Sequence, residues 1–136
     1  MVGPTGPTDA KIAIVGEAPG QEEVAQGLPF VGPAGKVLDT ALRQMGVARE
    51  ECYITNVMQE RPPGNDFGAF YADPKRRLPS PALYEGIARL KSELHQVKPN
   101  VTLLCGEEPM RALTGVRGIT ARRGYLQMME GMKMLP

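Results

Sequence analysis

Tryptophan is absent from this sequence, which also has only two cysteines, one histidine and 5% aromatic residues. So few aromatic residues exclude a broad surface for stacking bases. Two cysteines do not make a disulfide framework, which favours a reduced, cytoplasmic setting. No apolar run approaches the roughly 18 residues of a membrane span, and residues 1–8 lack a signal-peptide pattern, so we expect no membrane partner. The net charge of +1 excludes a general polycation, so any nucleic acid must bind a local patch.

The length of 136 residues fits one domain with its own core, and short apolar runs alternate with helical patterns along it. The predicted strands and helices are, in order, 11–15, 34–45, 52–57, 81–97 and 101–105, followed by a short helix that ends near Gly115. The segments without such periodicity are 1–10, which we expect to be a flexible leader, and the loops 21–33, 59–79 and 117–124. Strands that alternate with helices predict a parallel sheet and an α/β fold.

Ligands of such sheets bind beyond the carboxyl ends of the strands, which places three segments at one edge: 16–20, 56–65 and 106–108. The first holds Glu17 in a Gly-Glu-Ala-Pro-Gly turn, with a carboxylate and exposed backbone amides. There the carboxylate could orient a water molecule or stabilise a developing cation. The alternative is an ordinary turn with a solvated glutamate. The sequence contains neither a dinucleotide fingerprint nor a phosphate-binding P-loop.

Two further residues suit the recognition of a planar ligand. Phe30, in a Gly/Pro-rich loop, could stack on a base, although a lone aromatic residue more often packs in the core. Asn56 ends the second strand, and its amide could bind an imide edge in a fixed orientation, although asparagine is also common in turns and caps. Basic loop residues could bind phosphates or be ordinary solvated charge. The two cysteines are expected to be buried, and the histidine to lie on a helix surface.

Taken in order, these motifs resemble the uracil-DNA glycosylase superfamily, and within it the group that includes the iron–sulfur family-four enzymes. The stretches that carry the resemblance are GEAPGQE at 16–22, GLPFVGPAG at 27–35, LD at 38–39, YITNV at 53–57, RPPGN at 61–65 and KP at 98–99. The similarity runs from about residue 11 to about residue 124, which is nearly the whole chain. It is highly specific for the superfamily because several motifs occur in the same order.

The resemblance implies a three-layer α/β/α sandwich with a central four-stranded, mainly parallel sheet, over a single domain at 11–136. It also implies hydrolysis of the N-glycosidic bond of deoxyuridine in DNA. We expect the protein to act as a monomer. In this family pattern Glu17 lies near the attacking water, Phe30 stacks on the flipped uracil, and Asn56 hydrogen-bonds the uracil edge and excludes cytosine. The residues expected to line the substrate pocket beside them are Gly16, Ala18, Pro19, Gly20 and Gly32. The resemblance also places Gly35 close to the DNA. From their charge, the basic loop residues that we expect to contact DNA are Arg61, Lys75, Arg76, Arg77, Arg122 and Arg123.

The sequence departs from the family pattern at two places. The family-four cluster needs four cysteines, but Glu60 stands where one is expected before Arg61, and neither Cys52 nor Cys105 matches a ligand position. We therefore expect no iron–sulfur cluster, no metal and no other cofactor. The His-Pro-Ser-like motif that follows the family's final strand is also missing, so we expect the domain to be incomplete at its C-terminus. Two alternatives stay open: a non-catalytic DNA- or uracil-binding module, and an α/β nucleotide or phosphate binder that shares only the glycine-rich turns.

Overall fold

The computed structural model describes residues 1–115, 127–129 and 132–135. The strands are β1 (Ile12–Gly16), β2 (Cys52–Asn56), β3 (Val101–Leu104), β4 (Gln127–Met129) and β5 (Met132–Leu135). The α-helices in the described ranges are α1 (Gln21–Gln26), α2 (Pro33–Gln44), α3 (Pro81–Val97) and α4 (Glu107–Thr114). Short 3₁₀ turns lie at Arg49–Glu51, Pro63–Asn65 and Phe67–Phe70. The predicted α/β class is confirmed.

The strands form one sheet in the order β2-β1-β3-β5-β4. β1 pairs in parallel with β2 and β3, and β3 pairs in parallel with β5. β4 runs antiparallel to β5 at the far edge. In the described residues the sheet therefore has five strands and not the expected four, because β4 pairs with β5 as an antiparallel edge strand.

Helices cover both faces of the sheet because successive side chains of a strand point to opposite sides. Ile14 of β1 packs with Leu38 and Leu42 of α2 in one apolar cluster. Its neighbours Ala13 and Val15 belong to a second cluster, which holds the apolar side chains of α3 and α4. Full burial of one such aliphatic side chain contributes about 1.5–3 kcal/mol. These two clusters fix the helices against the strands and so fix the ends of the strands in space.

The predicted helix at 81–97 is confirmed, and its caps explain its bounds. The Ser80 hydroxyl accepts a hydrogen bond from the Leu83 N–H at 3.3 Å, and Pro81 occupies the first turn, where no N–H is needed. This helix has 17 residues, and no helix in the described ranges is long and apolar enough to cross a membrane.

The segment 21–33 was expected to be a loop, but its first part forms α1. The Glu23 carboxylate accepts a hydrogen bond from the Gly20 N–H at 2.9 Å, which caps the helix start. Gly27 ends the helix in a left-handed conformation with a φ of 70°. The helix has six residues and buries none of them, so it has no apolar stripe by which a sequence could show it.

Residues 1–10 were expected to be a flexible leader, but the structure packs them along β2. Thr5 and Ile54 exchange two backbone hydrogen bonds of 3.0 and 2.8 Å, and the Val2 N–H donates to the Gln59 carbonyl at 2.8 Å. Val2 is also buried. The physical reason is that β2 is an edge strand, whose outer N–H and C=O groups need partners.

Candidate active site

A cavity of about 550 Å³ opens at the carboxyl ends of β1, β2 and β3. This volume lies in the range of about 300–1,000 Å³ that is usual for small-molecule sites. Five of its lining residues were predicted as site residues: Gly16, Glu17, Ala18, Phe30 and Asn56. The rest of the lining is Glu23, the α2 residues Ala34, Val37, Leu38 and Ala41, and Leu103 and Cys105 at the end of β3. The strand ends meet here because the parallel register sets Gly16 directly beside Asn56.

Gly16 lets three parts of the site approach one another closely. A Cβ at this position would lie 2.5 Å from Cζ of Phe30 and closer still to Oδ1 of Asn56. Real Cβ atoms do not come so near to other heavy atoms, so a larger residue would push both side chains away. Glycine is therefore required here for packing space between the strand end, the amide and the ring.

Asn56 is buried with only 5% of its surface exposed, and it still lines the cavity. Its backbone carbonyl accepts a hydrogen bond from Nη2 of Arg89 at 2.7 Å, and the same nitrogen donates to the Val57 carbonyl at 2.8 Å. Within residues 1–115, no group hydrogen-bonds to the Asn56 side-chain amide. A buried amide in this state can offer both its N–H donors and its carbonyl acceptor to a ligand.

The support behind Asn56 is a buried polar network between β2 and α3. Arg89 forms an ion pair with Glu93 one turn further along α3. Glu93 in turn accepts hydrogen bonds from the Tyr53 hydroxyl at 2.7 Å and the Thr55 hydroxyl at 2.9 Å. Burial lowers the pKa of Arg89. This network holds the end of β2 from the face opposite the cavity, and the sequence analysis did not predict it.

Glu17 lies in the turn after β1, against the start of α4. The Glu108 N–H points at Oε2 of Glu17 at 3.5 Å. Gly106, with a φ of 120°, has no Cβ and so leaves room for the carboxylate. Burial raises the pKa of Glu17, and the negative charge of Glu108 adds to this, while the Glu108 N–H opposes it. The site therefore holds a carboxylate with a raised proton affinity at its rim.

Glu108 docks the long 59–79 segment onto α4. Its buried carboxylate accepts a hydrogen bond from the Tyr71 hydroxyl at 2.7 Å and forms an ion pair with Nη1 of Arg76 at 2.6 Å. Burial and the hydrogen bond to Glu108 raise the pKa of Tyr71 to about 12. Asp66 lies 3.4 Å from the Arg76 guanidinium. Arg76 forms ion pairs that tie this segment to the domain, and its expected contact with DNA stays a prediction.

Phe30 lines the cavity with its ring, on a backbone that takes a φ of 54°. The Glu23 carboxylate holds the turn after it, because it accepts hydrogen bonds from the Val31 N–H at 2.9 Å and the Gly32 N–H at 2.7 Å. Burial raises the pKa of Glu23, but these hydrogen bonds outweigh it and hold the pKa below its ordinary value. Sequence reasoning missed Glu23, although its spacing of three from Gly20 is the spacing of a capping box.

The remaining predicted pocket residues fall into two places. Pro19 and Gly20 line a smaller neighbouring cavity of about 120 Å³, which Glu17 and Ala18 share. Gly32 is buried and caps the start of α2.

Gly35 was expected to contact DNA, but it is buried, and a Cβ there would collide with the Phe30 carbonyl. The structure thus gives Gly35 a packing role behind Phe30.

The remaining residues predicted to contact DNA are all basic. Arg61 is exposed and donates to Oδ1 of Asn65 at 2.8 Å. Lys75 and Arg77 are exposed on the 59–79 segment. Arg122 and Arg123 lie outside the described residues. Contacts of DNA with Arg61, Lys75, Arg77, Arg122 and Arg123 therefore remain predictions.

The cysteines do not fit an iron–sulfur cluster, because such clusters are held by four cysteine thiolates and the sequence has two cysteines. Cys52 is buried at the start of β2, and Cys105 is half-buried after β3 and lines the cavity. Burial raises the pKa of Cys105 to about 11, so it is a neutral thiol near pH 7. The absence of a cofactor stays a prediction.

Sequence comparison identifies a family model and several known proteins that are similar to this chain. The model of the uracil DNA glycosylase superfamily matches residues 4–133. A type-4 uracil-DNA glycosylase of Archaeoglobus fulgidus is 42% identical over 98 residues, which are 71% of this chain and 44% of that protein. A type-4 uracil-DNA glycosylase of Thermotoga maritima is 33% identical over 135 residues, which are 96% of this chain and 65% of that protein. One of Pyrobaculum aerophilum is 54% identical over 54 residues, 40% of this chain and 28% of that protein. The chain thus spans less than two thirds of each relative.

Proposed function

This chain belongs to the uracil-DNA glycosylase superfamily, and we propose that it hydrolyses the N-glycosidic bond of deoxyuridine in DNA, which begins base excision repair. One observation carries the proposal: Glu17, Phe30 and Asn56 come from three separate motifs and line one cavity. The residues thus supply a carboxylate, an aromatic face and an amide to the same space. A carboxylate can assist hydrolysis at the sugar, while an aromatic face and an amide can bind the departing base.

The base would enter this cavity after rotation out of the DNA stack, since its glycosidic bond is not accessible inside a duplex. The Phe30 ring provides a face on which the base can stack. Uracil presents an N–H donor beside a carbonyl acceptor, whereas cytosine presents a ring-nitrogen acceptor beside an amino donor. The Asn56 amide, held in place by its backbone contacts to Arg89 and its packing on Gly16, would pair with the first arrangement. A mismatched edge would leave buried polar groups unpaired.

In the reaction the bond between C1′ of the sugar and N1 of the base breaks, and its electron pair leaves with the base. The hydroxyl group of a water molecule is added to C1′, and the proton of that water ends on the departing uracil. Positive charge develops on the sugar, and the Glu17 carboxylate can stabilise it and orient the water. The raised pKa of Glu17 strengthens its affinity for the water proton.

The DNA backbone would be held by exposed cations near the same edge, with the protein acting as a monomer. The candidates with exposed side chains are Arg61, Lys75 and Arg77, and the last two lie two residues apart. Replacing both with Ala should weaken binding to uracil-containing DNA and reduce the slope of log affinity against log salt by about 1–2. Lys11→Ala is the matched control, because this exposed cation lies at the amino ends of the strands, away from the cavity. Unchanged affinity in the Lys75→Ala/Arg77→Ala variant would contradict the DNA contact.

The function is tested with a labelled single-stranded oligonucleotide that carries one uracil. After incubation with the chain, alkali cleaves the strand wherever a base has been released. Scission that is lost in Glu17→Ala and Asn56→Ala, and kept in the exposed controls Glu50→Ala and Asn100→Ala, would support the proposal. Binding of uracil-containing DNA without release of the base would contradict it and would identify a binding module.

A further inference from the structure

The turn that carries Phe30 is held by a second charged side chain that the proposed chemistry does not use. Nη2 of Arg49 donates to the Pro29 carbonyl at 2.6 Å, and Nη1 donates to the Phe30 carbonyl at 2.7 Å. Nη1 also lies 2.9 Å from Oδ1 of Asp39 on α2. Arg49 thus binds two consecutive carbonyls with its planar guanidinium group, and Asp39 holds that group in place.

The Phe30 backbone needs this support because its conformation is unfavourable. A φ of 54° lies in the left-handed region, which residues with a Cβ atom rarely occupy. The backbone keeps such a conformation only when surrounding groups fix it. Here Arg49 binds the carbonyls of residues 29 and 30, while Glu23 binds the N–H groups of residues 31 and 32. Four consecutive residues are therefore held by two side chains of opposite charge.

The local structure leaves the Phe30 turn little room to relax in another direction. Gly35 of α2 packs against the Phe30 carbonyl from behind, where a Cβ would collide with it. Gly16 packs against the ring in front. The position of the ring in the cavity therefore depends on the position of the Phe30 carbonyl, and Arg49 binds that carbonyl directly.

We propose that Arg49, held by Asp39, is a positioning residue that sets the Phe30 ring for stacking on the substrate base. Arg49 does not line the cavity and acts only through the backbone of the turn. This inference rests on the proposed function for its kinetic effect but not for its structural effect. A lysine cannot replace Arg49 fully, because a single ammonium group lacks the planar fork that binds both carbonyls and Asp39.

A double-mutant cycle tests the proposal. Base release from uracil-containing DNA is measured under single-turnover conditions for Arg49→Ala, Phe30→Ala and the double variant. We expect Arg49→Ala to lower the rate by about tenfold or more, since a misplacement near 1 Å can cost about a hundredfold. In the Phe30→Ala background the same substitution should have no further effect, because the ring through which Arg49 acts is gone. Losses that add in the double variant would overturn the proposal.

Three further variants separate positioning from general damage to the fold. Arg49→Lys should recover only part of the rate, and Asp39→Asn should lose part of it. Arg43→Ala is the matched control, because Arg43 is an exposed arginine near the end of α2, and it should behave as wild type. Wild-type rates in both Arg49→Ala and Asp39→Asn would overturn the proposal.

Amide hydrogen exchange decides the structural part without any need for enzymatic activity. In Arg49→Ala, exchange at Val31 and Gly32 should become faster, while exchange at Ile14 in β1 should stay as slow as in wild type. Unchanged exchange at Val31 and Gly32 would overturn the inference. If the wild-type chain releases no uracil, the proposed function fails, and this measurement still shows whether Arg49 holds the turn.

Discussion

Replacing Gly16 with Ala should disable the site while leaving the fold in place. The added methyl group would lie 2.5 Å from Cζ and 2.7 Å from Cε2 of Phe30, and closer still to Oδ1 of Asn56. Gly16 does not have a positive φ, so alanine fits the backbone without strain. The perturbation is therefore steric, and it acts on two proposed substrate-binding side chains at once.

The size of the effect follows from these distances. Carbon atoms in favourable contact are about 3.5–4.0 Å apart, so the Phe30 ring must move by about 1 Å. A misplacement of that size in a catalytic site costs about a hundredfold in rate. The extra methyl group in a packed site should also cost about 1–3 kcal/mol of folding free energy. We thus expect a folded protein of slightly lower stability with about one hundredth of the wild-type rate of uracil release.

The assay is single-turnover release of uracil from a labelled oligonucleotide, with thermal unfolding measured in parallel to show that the variant is folded. Gly3→Ala is the matched control, because a Cβ there has no heavy atom within 4 Å. That variant should release uracil as fast as wild type. If Gly16→Ala releases uracil within about twofold of the wild-type rate, the Phe30 ring and the Asn56 amide do not bind the base in the arrangement of this structure. Such a result would contradict the proposed roles of both side chains.

Three other residues carry further predictions: Asn56, Glu17 and Glu108. Asn56→Asp should shift base release from uracil towards cytosine, because a carboxyl group offers a different pattern of donors and acceptors from an amide. Competition between two labelled oligonucleotides, one with uracil and one with cytosine, measures this base preference. An unchanged preference would contradict the role of Asn56. Burial raises the pKa of Glu17, so the rate of uracil release should begin to fall in acid at a pH above the ordinary glutamate range. The buried ionised carboxylate also destabilises the fold, so the free energy of unfolding should decrease as the pH rises through the raised pKa. Glu17→Gln should therefore be inactive yet more stable than wild type at neutral pH, with the difference vanishing in acid, and a less stable variant in thermal unfolding would count against this. Glu108→Ala should lower the free energy of unfolding by roughly 1.5–3 kcal/mol in a urea titration, because Tyr71 and Arg76 lose a buried partner; an unchanged midpoint would show that the contacts contribute little.

The sequence by itself predicted the elements whose signals are local. Apolar spacing and the Ser80–Pro81 cap were sufficient for α3, and β-branched apolar runs were sufficient for β1 to β3. The rule that ligands bind at the carboxyl ends of parallel strands then placed Glu17 and Asn56 at one edge. Both conclusions hold because periodicity, capping and strand direction depend on residues that are close along the chain.

Elements without an apolar pattern were not predictable in this way. α1 buries no residue, and its bounds are set by the capping interactions of Glu23 and Gly27. Residues 1–10 are ordered by hydrogen bonds to an edge strand more than 40 residues away. The edge strand β4 is defined by its pairing with β5 at 132–135. A sequence of only three residues does not reveal such pairing.

The tertiary structure alone decided which polar side chains support the site. Glu17 meets the Glu108 N–H across 91 residues, Arg89 reaches the Asn56 carbonyl across 33, and Arg49 reaches the Phe30 carbonyl across 19. A charged residue in a sequence is compatible with a solvated surface, a DNA contact or an internal ion pair, as Arg76 shows. Which of these occurs depends on the atoms that packing brings within about 3 Å, because hydrogen bonds act only over that distance.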